Sequence, residues 1–302
     1  METIYPQHKC NAWFGKAYNE YPVEWTQLFE SYKSSRAYEE DVGTSGFGLA
    51  VVKPEGDSIS YDTARQGYTT RYTHVTYALG FVITREAFDD DQYDIVGQRK
   101  AQGLAMSMRQ TKEIIGANVY NRAFNTSYLG GDGATLIASA GGGGSTSHPN
   151  VAGGTYTNGP AVASDISEAA LEQAVIDIAG FTNDRGLLIA AKPTKLIIPY
   201  QLQFEVKRIL GTDGRVATAD NDLNALKDMG LFGSVVVNHY LTDADAWFIK
   251  TNVMDGMKYF SRRDDAFDMD NDFDTENAKF KATARYAFGW TDPRGLYGSP
   301  GS

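Results

Sequence analysis

The acidic stretch Asp268-Met-Asp-Asn-Asp-Phe-Asp274 is the part of the sequence whose residue types and spacing come closest to chemistry. Its alternating carboxylates are typical of the start of a calcium-binding loop. However, Phe273 occupies the position where such a loop needs glycine, and Lys279 stands where it needs a bidentate glutamate. A solvated turn between two strands is the favoured interpretation, and a metal-dependent enzyme using the Asp264–Asp274 cluster is the alternative.

Other catalytic and metal-binding patterns are missing from the sequence. The four histidines lie far apart without a partner at metal-ligand spacing, and a single cysteine excludes a zinc cluster. There is no G-x-S-x-G elbow and no kinase motif. The glycines between residues 130 and 144 are not followed by the Gly-Lys-Ser/Thr of a phosphate-binding loop. We therefore expect no catalytic residue, no metal and no cofactor.

The charge balance argues against a protein whose main task is to grip nucleic-acid phosphates. The 302 residues include 38 acidic and 28 basic side chains, a formal net charge of −10, whereas phosphate binding needs a basic face. The single cysteine excludes an internal disulfide. Neither a secretory leader nor an apolar run of the ~20 residues that span a bilayer occurs. The sequence predicts a soluble protein made and used in a cytoplasm.

A long amphipathic helix is predicted from about residue 89 to residue 124. Its apolar positions fall on one stripe of a 3.6-residue period: Val96, Leu104, Met108, Ile115 and Val119. Three aspartates, Asp89 to Asp91, suit the positive end of the helix dipole. The helix would be roughly 50 Å long, so we expect it to lie across a broad, flat surface.

The region before this helix predicts strands that project. Gly67–Thr84 is dense in aromatic and β-branched residues, and its first half is polar. Short strands are predicted at Leu49–Val52 and Ile59–Asp62. Residues 43–80 therefore form an extended β-loop with little apolar content at its tip, whose open edges need cover from another chain.

Residues 1–42 are an unusual start for a globular protein. Aromatic residues are scattered among polar ones, and only a short helix is predicted, after Pro22. One interpretation is an extended arm whose aromatics pack on its own domain. The other is an arm laid along a neighbouring subunit, where aromatics serve as anchors.

The second half of the chain predicts a compact α/β unit and a returning sheet. A glycine-rich mobile loop from about residue 130 to 154 comes first. A capping signal at Asp165 and Glu168 then opens a helix, and apolar strands follow at Lys195–Ile198, Val235–Val237 and Trp247–Ile249. Strands at Met257–Arg263 and Phe280–Trp290 are expected to pack on the long helix, with Phe81–Thr84 joining their sheet. A Gly/Pro-rich tail follows from Asp292.

This order of parts resembles the major capsid protein of tailed bacteriophages, the Hong Kong ninety-seven shell fold. Gly67–Gly80 resembles the loop strand of that family, Lys195–Leu202 its axial strand–proline–helix, and Phe288–Gly298 a common ending. The resemblance implies an α+β fold with an N-terminal arm at 1–42, an extended β-loop at 43–80, a peripheral domain at 81–155 and 251–302 with a spine helix about 89–124, and an axial domain at 156–250.

The resemblance also implies a structural protein rather than an enzyme. Such a chain assembles as pentamers and hexamers into an icosahedral shell around double-stranded DNA, which lies on the inner face without sequence-specific binding. A portal protein and a separate scaffolding protein are the implied partners, since the arm begins almost at Met1. A decoration protein is left open, and no membrane is involved. The shell would be assembled in the host bacterial cytoplasm and located in the virion. A cellular nanocompartment shell of the same fold is the alternative.

The residues expected to contact other subunits belong to the arm, the loop and a charged cluster of paired arginines and aspartates. They are Trp13, Tyr21, Trp25, Lys53, Arg65, Tyr68, Arg71, Tyr72, His74, Arg262, Arg263, Asp264 and Asp265. Lys53 is also the only lysine between Lys33 and Lys100, and so the only loop candidate for the covalent cross-link that some relatives form. Nothing in the sequence identifies its partner.

Overall fold

The fold is described from a computed structural model for residues 7–89, 93–214, 223–272 and 274–302. The helices are α1 (Gln7–Glu20), α2 (Trp25–Leu28), α3 (Arg85–Asp89), α4 (Tyr93–Asn121), α5 (Glu168–Ala179), α6 (Gln203–Gly211) and α7 (Ala225–Asp228). The strands are β1 (Glu30–Lys33), β2 (Tyr38–Thr44), β3 (Gln66–Thr73), β4 (Val75–Ile83), β5 (His148–Pro149), β6 (Thr155–Tyr156), β7 (Pro193–Pro199), β8 (Ser234–Asn238), β9 (Trp247–Thr251), β10 (Met257–Asn271), β11 (Ala278–Trp290) and β12 (Leu296–Ser299). In these ranges no helix is long and apolar enough to cross a membrane.

The described residues form two compact units. The first lies within Met1–Glu39, Tyr72–Gly116 and Tyr259–Phe288, and the second within Glu40–Arg71, Ala117–Lys258 and Gly289–Ser302. The second unit therefore includes the base of the β-loop, the glycine-rich segment and the C-terminal tail. These boundaries differ from the sequence-based expectation, which began a separate domain at residue 156 and ended it at residue 250.

The first unit is built on a four-stranded sheet in the order β1-β10-β11-β4. Strand β4 pairs antiparallel with β11, from Ile83 opposite Ala278 to Val75 opposite Tyr286. This pairing confirms the prediction that the strand before the long helix joins the returning strands. Gly80 is required here, because a β-carbon at this position would lie 2.5 Å from the carbonyl oxygen of a β11 residue.

The long helix α4 has 29 residues, which corresponds to about 43 Å. Its described part begins at Tyr93, and helix α3 ends at Asp89. The predicted N-terminal aspartates Asp90 and Asp91 lie outside the described residues. The helix packs on the sheet as expected, since the Gly116 position closely faces the Phe288 ring.

A buried lysine joins α4 to the sheet of the first unit. The Lys112 ammonium, 6% exposed, forms an ion pair with Asp265 and lies 5.3 Å from the centre of the Tyr286 ring. The Tyr18 hydroxyl donates to the same carboxylate at 2.6 Å. A buried charge needs such partners to offset its loss of hydration, so α1, α4 and β10 are held together at one point.

The prediction of an extended N-terminal arm is wrong for this structure, because α1 spans Gln7–Glu20. Cys10 and Phe14, four residues apart, are buried, and the Phe14 ring packs on Phe267 with centroids 4.9 Å apart. The arm therefore packs its apolar stripe against its own unit, as the first of the two sequence interpretations held.

The second unit contains a four-stranded sheet in the order β12-β9-β7-β8. Strand β7 pairs parallel with β8 and antiparallel with β9. One core joins alternate residues of the strands to those of α5 and α6: Leu171, Ile178, Leu196, Ile198, Val206, Trp247, Ile249 and Tyr297. Phe248, which alternates with Trp247 and Ile249, contacts Tyr120 near the end of α4, with ring centroids 5.4 Å apart.

The predicted cap of α5 lies two residues later in the chain. Ser167 rather than Asp165 is the N-cap, and its side chain accepts a hydrogen bond from Ala170.

The glycine-rich segment is a buried part of the second unit, not the mobile loop that its composition predicts. Thr135 to Ala138 are fully buried. The Asn158 amide nitrogen donates to the carbonyl oxygens of Leu136, Pro293 and Leu296 at 2.9–3.0 Å. Its carboxamide oxygen accepts from Ala138 at 2.8 Å. One side chain thus joins the segment to the C-terminal turn.

The predicted C-terminal tail also belongs to the fold. Its last strand, β12, pairs antiparallel with β9, and each of its residues is buried.

Helix α2 depends on a carboxylate from α4. The Glu113 oxygens accept hydrogen bonds from the backbone nitrogens of Glu24 at 3.0 Å and Trp25 at 2.9 Å. We predict that Glu113→Ala lowers the free energy of unfolding by about 2–3 kcal/mol, because it leaves two backbone N–H groups without an acceptor. Chemical denaturation measures this loss. The exposed Glu86→Ala is the matched control and should change stability by less than about 0.5 kcal/mol, and an equal loss in both variants would contradict the capping role.

Candidate functional site

The acidic stretch does not form a metal site in the described residues. No group of three or more His, Cys, Asp or Glu side chains there could hold an ion, and Phe273 lies outside the described residues. Strand β10 continues to Asn271, eight residues beyond its predicted end, so Asp268 and Asp270 lie on a strand. Asp272 instead pairs with Lys279 at 2.5 Å, and this hydrogen bond holds the pKa of Asp272 below its usual range. The geometry gives no support to the enzyme alternative.

The main candidate for an interaction surface is the segment from residue 45 to 65, which has neither helix nor strand. Its large apolar side chains are between 63% and 93% exposed: Phe47, Leu49, Val51, Val52, Ile59 and Tyr61. The segment curls around a cleft of about 750 Å³ lined by its own residues. Both predicted short strands, Leu49–Val52 and Ile59–Asp62, are absent from this segment, and the exposed apolar side chains lie on both sides of the polar tip at residues 53–57. We call this segment the apolar loop.

The base of the apolar loop is closed by hydrogen bonds. The Ser45 backbone nitrogen donates to the Arg65 carbonyl oxygen at 3.0 Å, and the Arg65 backbone nitrogen donates to the Ser45 hydroxyl at 3.0 Å. Ser45 is 2% exposed. Below this closure, β2 and β3 form a two-stranded sheet. The loop is therefore a defined projection whose apolar side chains lie beyond a polar, ordered base.

Strand β2 is held to the second unit by a buried ion pair. The Lys258 ammonium, 6% exposed, pairs with Asp41 and, at 2.6 Å, with Asp255. The Thr291 hydroxyl donates to Asp41 at 2.8 Å. Burial alone would raise the pKa of Asp41, but the hydrogen bonds from Lys258 and Thr291 outweigh it and hold that pKa below its usual range. Burial would lower the pKa of Lys258, but its two carboxylates raise it.

The predicted contact residues separate into three groups by the exposure of their side chains. Seven are exposed, namely Lys53, Arg65, Tyr68, Arg71, Arg262, Arg263 and Asp264. Trp13 and Tyr21 are half-buried. The Arg71 guanidinium also pairs with Glu40 of β2 at 2.5 Å, so it has a role within its own chain.

The side chains of the other four predicted contact residues are buried by their own chain. Trp25 is 8% exposed and Tyr72 is 3% exposed. His74 is 5% exposed, and burial lowers its pKa. Asp265 is occupied by Lys112 and Tyr18, as described above. These side chains have almost no surface left for a neighbouring subunit, and the expected Arg–Asp cluster on β10 is not one surface, since Asp265 belongs to the interior.

The sequence pattern predicts a strand at Leu49–Val52, whereas the structure has an irregular, exposed segment there. The sequence does contain one indication of an irregular loop. The turn-forming residues 53–57 lie between two short apolar stretches, and these stretches do not share the alternation of two paired strands.

One family of known proteins matches this chain. A family model described as phage capsid protein matches residues 67–299. The apolar loop precedes this range. No curated protein matches the chain.

Solved structures similar to the chain include a virus-like particle from Pyrococcus furiosus, with 10% identity, a TM-score of 0.53 and coverage of 97% of this chain and 98% of that chain. The capsid of the native GTA particle has 14% identity, a TM-score of 0.53 and coverage of 91% and 88%. A structure of Microbacterium phage Oxtober96 has 11% identity, a TM-score of 0.51 and coverage of 92% and 91%. At these identities the similarity shows a shared fold.

The buried pair under the loop predicts a pH dependence. The pKa of Asp41 in the folded chain lies below its unfolded value of about 3.9. The ionised Asp41 therefore stabilises the fold fully above about pH 3.9, and this stabilisation is lost as the pH falls through the pKa of the folded chain. The pKa of Lys258 in the folded chain lies above its unfolded value of about 10.4. The charged Lys258 therefore stabilises the fold fully below that pH, and this stabilisation is lost as the pH rises through the pKa of the folded chain.

Lys258→Met should lower the free energy of unfolding by about 1–2 kcal/mol at pH 7, because the Asp41 carboxylate, 29% exposed, loses its cation, whereas Asp255 is 61% exposed and is screened by water. Urea denaturation at a series of pH values measures this. The difference from the wild type should shrink near pH 3. The exposed Lys192→Met is the control, and a loss in Lys258→Met that does not change with pH would contradict the assignment.

Proposed function

Since this chain belongs to the phage capsid protein family, it is a structural capsid protein, and we propose that it is the major capsid protein of a tailed bacteriophage. Its copies assemble as pentamers and hexamers into an icosahedral shell around a double-stranded DNA genome. The role requires no catalysis. The shell forms in the cytoplasm of the bacterial host and becomes part of the virion.

The apolar loop is the observation that carries this proposal. Monomeric proteins rarely leave a large contiguous apolar patch in water, and such a patch marks an interaction surface. Its six large apolar side chains, described above, are all more than 60% exposed. We propose that the loop lies on a neighbouring copy of the chain. Lys53, Arg65, Tyr68 and Arg71, which are exposed on or beside it, form the polar rim of that contact.

The half-buried Trp13 and Tyr21, and the exposed Arg262, Arg263 and Asp264 of β10, are proposed to meet other copies of the chain. The first unit corresponds in this proposal to the peripheral domain and the second to the axial domain.

The remaining partners follow from the family alone. They are a portal protein and a separate scaffolding protein, with a decoration protein as an open addition. The formal net charge of −10 supports an inner face that binds DNA only weakly, because tight phosphate binding needs clustered cations.

A nanocompartment shell of the same fold is the second candidate. The similarity to the virus-like particle of Pyrococcus furiosus motivates it, but the GTA capsid has an equal TM-score of 0.53. Nuclease-protected double-stranded DNA in particles from infected or lysogenic cells supports the phage capsid. Particles that hold protein cargo and no DNA favour the compartment.

Val51→Asp combined with Val52→Asp tests the loop contact. We expect a folded subunit, because both residues are exposed in the free chain, and at least a tenfold loss of particles, because a desolvated, unpaired charge at an interface costs several kcal/mol. Circular dichroism checks the fold, and sedimentation with negative-stain microscopy counts the particles. Ser58→Asp adds charge to the same loop without removing apolar surface and should assemble better. Normal assembly of the double variant would refute the loop contact.

Arg71→Asp tests the rim. We expect a folded subunit and a lower particle yield, because the arginine is exposed near the loop base and its charge is inverted. Glu40→Gln is the matched control, since it removes the ion pair within the chain but keeps Arg71. Equal impairment in both variants would assign Arg71 to the intrachain pair, and normal assembly of Arg71→Asp would remove it from the interface.

A further inference from the structure

We propose that Arg185 is a positioning residue, which fixes the apolar loop on its own subunit before assembly by holding the returning arm of the loop at Asp62 and Thr63. This inference rests on the proposed function, because it concerns how the same loop is presented to a neighbouring copy. Arg185 lies far from the loop in sequence and is not among the residues proposed above to contact a neighbouring copy.

The contact is direct and involves both residues of the returning arm. The Arg185 Nη2 donates to the Thr63 carbonyl oxygen at 2.7 Å and to Asp62 Oδ1 at 3.1 Å. The Arg185 side chain is 25% exposed, and the Asp62 side chain is 44% exposed. Charge-assisted hydrogen bonds of this kind are stronger than neutral ones. An otherwise irregular segment is thus attached to a distant part of the second unit.

The turn that carries Arg185 is itself rigid. The Asn183 side-chain oxygen accepts hydrogen bonds from the backbone nitrogens of Arg185 at 2.9 Å and Leu187 at 3.0 Å. Gly186 has a φ of +78°, which favours glycine at this position. The neighbouring Asp184 accepts from the buried Arg294 at 2.9 Å. The guanidinium of Arg185 is therefore presented from a fixed backbone.

The Asp62 carboxylate connects Arg185 to both arms of the loop through hydrogen bonds. Its carboxylate accepts from the backbone nitrogen of Gly48, on the outgoing arm, at 2.8 Å and from that of Thr63 at 2.8 Å. The N–H groups of Gly48 and Thr63, followed by Arg185, hold the pKa of Asp62 below its usual range. The carboxylate is ionised at neutral pH and can hold all three donors at once.

The contact restrains the base of the loop and leaves its apolar side chains exposed. Fixing a binding segment in advance reduces the conformational entropy that is lost when the partner binds. Arg185 thereby favours association of the loop with a neighbouring copy without being part of the contact surface.

Hydrogen–deuterium exchange of the full-length, unassembled subunit tests the proposal. Arg185→Ala should increase the exchange rate of the hydrogen-bonded amides of Gly48, Thr63 and Arg65 by about three- to tenfold, as expected for loss of a charge-assisted hydrogen bond. Exchange in β7, Pro193–Pro199, should not change. Arg185→Lys should give a smaller increase, because one charged donor is retained. The exposed Lys192→Ala, in the same unit, should match the wild type.

A double-mutant cycle separates positioning from general destabilisation. If Arg185 acts through Asp62, combining Arg185→Ala with Asp62→Asn should accelerate exchange no more than the more affected single variant. In an assembly assay, Arg185→Ala should lower the particle yield while the subunit stays folded. Unchanged loop exchange, exchange that rises equally in β7, or fully additive effects would each overturn the proposal. If the wild type forms no shells, the proposed function fails, but the exchange result still decides the role of Arg185.

Discussion

The exposure of the apolar loop is the constraint on which the account of this chain depends. Burial of apolar surface is the main favourable term in folding and association, and this chain leaves the large apolar side chains of one irregular segment exposed to water. The loop is nevertheless not loosely attached. Its base is closed through Ser45 and Arg65, and the strand that leads to it is held by the buried pair of Asp41 and Lys258. A stable base under an apolar projection is what a subunit needs when its partner is another copy.

Each compact unit has a buried polar side chain where elements from distant parts of the chain meet. In the first unit, Lys112 joins the N-terminal helix, the long helix and β10 through Tyr18 and Asp265. In the second unit, Asn158 joins the glycine-rich segment to the C-terminal turn. Removing one partner of such a contact leaves a buried polar group unsatisfied, which costs more than the contact itself contributes. These contacts therefore specify one arrangement of elements that apolar packing alone would leave less well defined.

Sequence reasoning was most successful where a regular hydrophobic period was present. The long helix, the strands around Ile197, Val236 and Phe248, and the pairing of the Phe81 strand with β11 follow from periods of 3.6 and 2. It failed where tertiary contacts replace local propensity. The glycine-rich segment has no period, and its order comes from Asn158 and the backbone groups that this side chain joins, which composition does not reveal.

The N-terminal helix was missed for a different reason. Cys10, Phe14 and Tyr18 have the four-residue spacing of a helix face, but the intervening aromatic residues obscured it. The candidate site was predicted in location and not in detail. The sequence predicts that the loop projects. The exposure of its apolar side chains and the burial of Trp25, Tyr72 and His74 depend on which side chains the rest of the chain covers, and local sequence does not reveal this.

A cryo-electron microscopy reconstruction of the purified, assembled protein tests the central claim most directly. The account predicts closed particles in which Phe47, Leu49, Val51, Val52, Ile59 and Tyr61 are buried against a neighbouring copy. Lys53 and Arg71 should lie at the edge of that contact. Closed particles in which these apolar side chains still face solvent would contradict the role of the loop. A stable monomer or dimer under every condition, including co-expression with a scaffolding protein, would contradict the shell itself.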